Sequence, residues 1–264
     1  RPPRSTQGVS SAASDVYKRQ VKTLIFLLSV EKLLKPKQDV IGEGLHLTVS
    51  RSKAECITNL EGYMFWGFGN PPPSVGLFKN PQPWLYSLPL QKFKNLNDGK
   101  SLIIAPEALN RFYIDGSYNR VGASWMTKEE RENDIDENIN YLNSVLDNII
   151  KEIGHNNFEL NILGFSQGGA TACRWVFSSK IEVKNLILWA GDIPKDTLTE
   201  NNKSKWSSIN THLVMGQQDP LINDKMKAKF LNLVKEYKLD YKLTMYDGDH
   251  RIYPDVMLKL AQKL

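Results

Sequence analysis

Residues 164–168 read Gly164-Phe165-Ser166-Gln167-Gly168. The apolar pair Ile162-Leu163 runs into this stretch and the small residues Gly169, Ala170, Thr171 and Ala172 follow it. A serine between two glycines fits a sharp turn from strand to helix, which holds a hydroxyl clear of the backbone for attack on a carbonyl carbon. The glycines relieve crowding in such a turn, and the N-terminus of the next helix favours developing negative charge. Small residues also make tight turns for no chemical reason, so Ser166 needs partners before it means anything.

A hydroxyl is a poor nucleophile unless a base takes its proton, and that base must be oriented by a third group. The chain holds four histidines. His46 precedes the well-patterned part of the chain, and His155 falls in a helix-ending turn. His212 opens a strand and is expected to face its edge. His250, in Tyr246-Asp247-Gly248-Asp249-His250, lies just past the last strand run, where a loop can swing back over the C-terminal edge of a sheet. It is the candidate base. In the chain order serine, acid, histidine, two aspartates compete. Asp219 stands three residues beyond Gly216 at the end of a strand run, and Asp192 follows the previous one in Ala190-Gly191-Asp192. Ordinary capping or loop solvation would explain either. Asp219 is favoured because its strand immediately precedes that of the histidine.

These residues need a scaffold, and from about residue 100 onward the pattern supplies one. Short apolar runs at 101–106, 159–165, 185–191, 211–216 and 241–248 read as strands. Helical stretches lie between them, the alternation of a parallel sheet wrapped by helices. Over 127–153 the apolar residues Ile135, Ile139, Leu142, Val145, Leu146, Ile149 and Ile150 recur at spacings of three and four. Thr127 with Glu130 fits a capping box, and Gly154 fits the stop. Further helices are expected over 167–178, 224–237 and 255–264. Residues 51–99, rich in proline, and the connection 107–125 read as irregular, and a long loop in a compact domain tends to be functional.

Composition sets outer limits. Hydrophobic content of 41% and charged content of 24% are ordinary for a globular protein, and 264 residues can bury a sizeable core. Two cysteines, Cys56 and Cys173, are too few for a disulfide framework or a zinc cluster, so neither redox chemistry nor a metal site is suggested. The net charge of +5 suggests nucleic acid, but Arg1, Arg4, Lys18 and Arg19 against Asp15 make most of it. A nucleic-acid binder shows a clustered basic stripe, and none stands out. Residues 1–20 read as a non-native leader and are left out of fold reasoning. Residues 21–40 are an uncertain segment whose apolar run, Leu24 to Val30, suggests a short helix or translated untranslated sequence in preference to a degraded signal sequence, since Glu31 and Lys32 interrupt it and no small-residue cleavage site follows. Residues 41–264 are expected to form one domain. Nothing approaches the roughly 18 apolar residues of a membrane span, so no stable membrane insertion is expected and a cytoplasmic location is favoured.

With Gly164-Phe165-Ser166-Gln167-Gly168-Gly169, the acid loop Gly216-Gln217-Gln218-Asp219-Pro220 and the histidine loop Gly248-Asp249-His250-Arg251 in this order, the chain resembles the phospholipase/carboxylesterase family of α/β-hydrolases, which includes acyl-protein thioesterases. The resemblance covers about residues 100–264. It implies an α/β-hydrolase fold, with a mostly parallel central sheet and helices on both faces. It also implies a serine hydrolase acting without cofactor on small-molecule carboxylic esters or thioesters, through a Ser166-His250-Asp219 triad and an acyl-enzyme. The backbone amide of Gln167 would give one oxyanion donor. Members of this family carry a His-Gly-x-Gly turn after an early strand for the second donor. The nearest match here is Trp66-Gly67-Phe68-Gly69, with Phe68 offering the amide and tryptophan replacing histidine. The proline-rich stretch beyond it departs from the family pattern, which leaves a second reading open: a non-catalytic binding protein of the same fold with a defective oxyanion segment.

Overall fold

The computed structural model describes residues 24–29, 46–49, 63–64, 96, 101–106, 108–113, 121–153, 158–222 and 224–264. Its centre is an eight-stranded sheet. The strands are β1 (Leu24–Ser29), β2 (His46–Val49), β3 (Tyr63–Met64), β4 (Ser101–Pro106), β7 (Glu159–Phe165), β8 (Asn185–Trp189), β9 (Asn210–Gly216) and β10 (Lys242–Tyr246). They lie in the order β10-β9-β8-β7-β1-β4-β2-β3. β7 to β10 are mutually parallel, and so are β4, β2 and β3. β1 runs antiparallel to both its neighbours, pairing Phe26 with Ile162 on one side and with Ile104 on the other.

The strand at Leu24–Ser29 corrects the expectation of a short helix there. A continuous apolar run of strand length suits a strand with both faces covered as well as it suits a helix, and periodicity alone does not separate the two. A second correction concerns 107–125. Asn110–Tyr113 (β5) and Val121–Ser124 (β6) pair antiparallel as a separate two-stranded sheet. β5 leaves Arg111, Phe112 and Tyr113 all exposed, so it lacks the apolar–polar alternation that reveals a half-buried strand.

Among the described residues there are five α-helices: α1 (Arg131–Ile153), α2 (Gln167–Ser178), α3 (Lys203–Ser208), α4 (Asp224–Glu236) and α5 (Pro254–Ala261). α1 starts three residues later than Thr127 as its N-cap would place it. Asp134 is the reason: its Oδ2 accepts both the N–H (2.7 Å) and the hydroxyl (2.9 Å) of Thr127, which ties the segment before the helix into a turn. Alternate residues of each central strand feed two cores. Leu160, Ile162, Leu186, Leu188 and Leu213 meet α1, α2 and α4 through Leu142, Leu146, Trp175 and Val234. Leu163, Phe165, Ile187, Trp189 and Val214 meet α5 through Met257 and Leu260. Helices therefore cover both faces, as an α/β-hydrolase requires.

His212 is not at an edge. It sits inside the sheet on β9, paired with Ile187 and Lys242, and is 2% exposed, with no hydrogen-bond partner for Nε2 among the described residues. Burial, with a smaller contribution from the charge of Lys242, lowers its pKa below the ordinary 6.5. The unfolded chain therefore binds a proton near pH 6.5 that the folded chain refuses. Stability is expected to fall as pH drops below about 6.5 toward the lowered folded value. Urea unfolding at pH 7.5 and pH 5 should show this loss, and His212→Gln should shrink the difference. An identical pH dependence in parent and variant would refute it.

Candidate active site

The turn between β7 and α2 is as sharp as its residues suggest. Ser166 has φ 56° and ψ −121°, a left-handed backbone that side chains rarely adopt. Its N–H donates to the Trp189 carbonyl (2.9 Å) at the end of β8, and its carbonyl accepts from the Gly169 N–H (3.0 Å). Gly164 is required by close approach: a β-carbon there would fall 2.4 Å from the Gly168 carbonyl oxygen and 2.5 Å from the Gly169 α-carbon. Ser166 occupies the N-cap position of α2, yet its hydroxyl makes no capping hydrogen bond. The usual structural use of a serine there is absent. Gln167 is the first residue of α2, where backbone N–H groups have no acceptor one turn back within the helix.

The loops after β9 and β10 bring Asp219 and His250 together. Asp219 Oδ2 lies 2.6 Å from His250 Nδ1, with both side chains almost wholly shielded from solvent. An ionised carboxylate can only accept, so a neutral imidazole in this contact would carry its proton on Nδ1 and leave a lone pair on Nε2. Among the described residues Nε2 has no hydrogen-bond partner. The His250 ring packs on Phe165, the residue before Ser166, with ring centroids 4.9 Å apart. The other carboxylate oxygen, Asp219 Oδ1, accepts from the Leu221 N–H (2.9 Å), which fixes the rotamer.

Both loops are themselves pinned. The Gln217 N–H donates to the Tyr246 carbonyl (2.9 Å) and the Gln218 N–H to the Gly248 carbonyl (3.0 Å), so the acid and histidine loops share backbone bonds. Gly216 permits this contact, because a β-carbon there would lie 2.5 Å from the Gly248 oxygen. The Tyr246 hydroxyl lies 2.8 Å from the Asp249 carbonyl and 3.0 Å from that of Arg251, bracketing His250. Burial pushes the Tyr246 pKa up to about 12, so the hydroxyl stays a donor. The Trp189 indole N–H reaches the Tyr246 hydroxyl and the Arg251 carbonyl, each at 3.1 Å. Sequence reasoning passed over Tyr246 and Trp189. The visible signal was their position as the last residues of their strands, beside loops that bear candidate residues.

Asp192 lies beside the serine turn, its backbone nitrogen 3.6 Å from where a β-carbon on Gly169 would stand. Asp192 Oδ1 accepts from the Ile193 N–H (2.9 Å) in the loop after β8. His46 opens β2 near the far edge of the sheet and so belongs to the organised fold. His155 and Phe68 lie outside the described residues. The strand before Phe68, β3, ends at Met64 and is four positions from β7. At about 4.8 Å per strand that is roughly 19 Å. Among the described residues no group of three or more His, Cys, Asp or Glu is placed to hold a metal ion. No helix among them is long and apolar enough to cross a membrane.

A largely parallel sheet covered by helices on both faces, with a strained serine turn after one strand and an Asp–His pair after two later ones, defines an α/β-hydrolase. Residues 118–264 match the model of the phospholipase/carboxylesterase family, and the chain belongs to that family. It is accordingly a hydrolase of the esterase or thioesterase type. Among solved structures the chain is similar to esterase PE8, at 16% identity over 66% of this chain and 82% of that one, with a TM-score of 0.46. It is similar to acyl-protein thioesterase 2 of Zea mays, at 14% identity over 61% and 80%, with a TM-score of 0.48. A carboxylesterase of Bacillus cereus aligns at 13% identity over 95% and 97%, with a TM-score of 0.49. No match is found among curated proteins.

Proposed function

We propose that the enzyme cleaves carboxylic esters or thioesters through a covalent acyl-enzyme, with Ser166 as nucleophile, His250 as base and Asp219 as the group that orients it. The observation that carries this reading is the buried 2.6 Å contact between Asp219 and His250, made beside the residue that precedes a strained, uncapped serine. Asp219 accepts a hydrogen bond from Nδ1–H and stays ionised, which leaves Nε2 to take the proton of the Ser166 hydroxyl as its oxygen bonds to the substrate carbonyl carbon. The tetrahedral oxyanion is held by the Gln167 N–H at the start of α2, where the helix dipole favours negative charge. Collapse expels the alcohol or thiol, which takes the proton from His250, and water then repeats the sequence to release the acid. A backbone N–H at Phe68, which lies outside the described residues, would serve as a second oxyanion donor.

Fluorophosphonate labelling tests this reading against a binding protein of the same fold. The enzyme should be covalently modified at one serine, identified as Ser166 by peptide mass. Failure to react, with the protein folded, would leave the non-catalytic alternative standing.

A further inference from the structure

The side chain of Gln167 does not extend into solvent, as a glutamine in the first turn of a helix commonly does. Its Oε1 accepts from the Trp125 N–H at 3.0 Å and lies 3.0 Å from the Ser124 hydroxyl. Its Nε2 donates to the Met126 carbonyl at 2.9 Å. A backbone N–H only donates and a carbonyl only accepts, so the two ends of the amide are not interchangeable.

The segment it grips is itself immobilised. Trp125 is fully buried and Ser124 and Met126 nearly so. The Trp125 carbonyl accepts from the Asn138 side chain of α1. The Ser124 hydroxyl also lies 3.0 Å from the Met126 carbonyl. The Met126 sulfur stands 3.4 Å from a guanidinium nitrogen of Arg131 and 3.6 Å from one of Arg174. Gln167 thus ties the serine turn to a rigid strut between β6 and α1.

The peptide between Ser166 and Gln167 is where that tie matters. Ser166 is held at φ 56°, and a strained residue relaxes by rotating an adjoining peptide unless its surroundings prevent it. The same peptide carries the N–H assigned above to the oxyanion. We infer that the Gln167 side chain is a positioning device, which keeps this peptide from rotating and so holds the Gln167 N–H on the substrate oxygen. The inference rests on the reading of Ser166 as nucleophile.

Two variants test it, with p-nitrophenyl acetate as substrate. Gln167→Met keeps the length of the side chain and loses all of its polar contacts. Outright loss of an oxyanion donor typically costs about 100- to 1,000-fold in kcat, and misalignment costs less. A fall of roughly 10- to 100-fold in kcat is therefore expected, with KM changed less than about twofold. Gln167→Glu can still accept from Trp125, but it donates to Met126 only when its carboxyl is protonated. Its kcat, divided by that of the parent at each pH, should be highest at the acid end and fall as the carboxyl ionises. This ratio is read within one folded protein, so it decides the matter even if Gln167→Met does not fold. A parent that labels with fluorophosphonate, alongside a flat ratio for Gln167→Glu or a parent-like kcat for Gln167→Met, would overturn the positioning role alone. A folded parent that does not label would overturn the nucleophile reading, and this inference with it.

Discussion

Ser166→Ala should abolish ester hydrolysis and fluorophosphonate labelling together, with a loss in kcat on the order of a million-fold. The fold should survive. The hydroxyl makes no capping bond, the residue lies in a turn, and alanine tolerates the left-handed backbone no worse than serine does. The measurements are turnover of a p-nitrophenyl ester and the melting temperature. Parent-like turnover in the folded variant would remove the basis of the whole mechanism. A residual rate above water is compatible with it, because the Gln167 amide and substrate binding remain.

The second large effect belongs to the buried pair. Asp219→Asn keeps the volume and can still accept from the Leu221 N–H, but its amide would turn an N–H toward the imidazole. His250 would then favour the tautomer with its proton on Nε2, the nitrogen that must be bare. A loss of about 10,000-fold in kcat is expected, as typical for this substitution in a triad. His250→Ala should cost at least as much. The control is Asp192→Asn, at a residue whose Oδ1 accepts from the neighbouring Ile193 N–H. If Asp192→Asn crippled the enzyme while Asp219→Asn were mild, the acid would be misassigned.

How far the site was legible in the sequence differs from residue to residue. Ser166 announces itself because its turn depends on glycines, and the helix after it begins at Gln167, as the small-residue run suggests. Asp219 and Asp192 are not separable by local pattern, since each follows a strand with a turn residue before it. Only the three-dimensional path of the loops brings one of them to His250. His212 shows the opposite failure. A polar residue at the start of a strand run suggests an edge, whereas β9 lies between β8 and β10 and buries it. The role of the Gln167 side chain has no local signature at all, because its partners lie some forty positions earlier in the chain. For the fold, the parallel strands from β7 onward are legible because each is a short apolar run followed by a helical period. β1 and the β5–β6 hairpin are not, the first because strand and helix share its pattern and the second because β5 is exposed.

The antiparallel strand at the middle of the sheet sets an order of assembly. β7, β8, β9 and β10 each pair with a strand adjacent in sequence, across one helical crossover. β1 instead pairs with β4 and β7, so Phe26 must find Ile162 across most of the intervening chain. Loop closure over such a separation costs entropy before any contact repays it, and pairings of this kind slow folding. The part bearing Ser166, Asp219 and His250 can therefore collapse first, with one flank of β7 open as a templating edge until Leu24–Ser29 arrives. Pulse-labelled amide exchange during refolding should protect β8 and β9 before β1, whereas simultaneous protection would mean that the sheet closes in a single step. Until that step, the unfilled edge beside the strand leading to Ser166 is the place where a second, partly folded copy would dock by mistake.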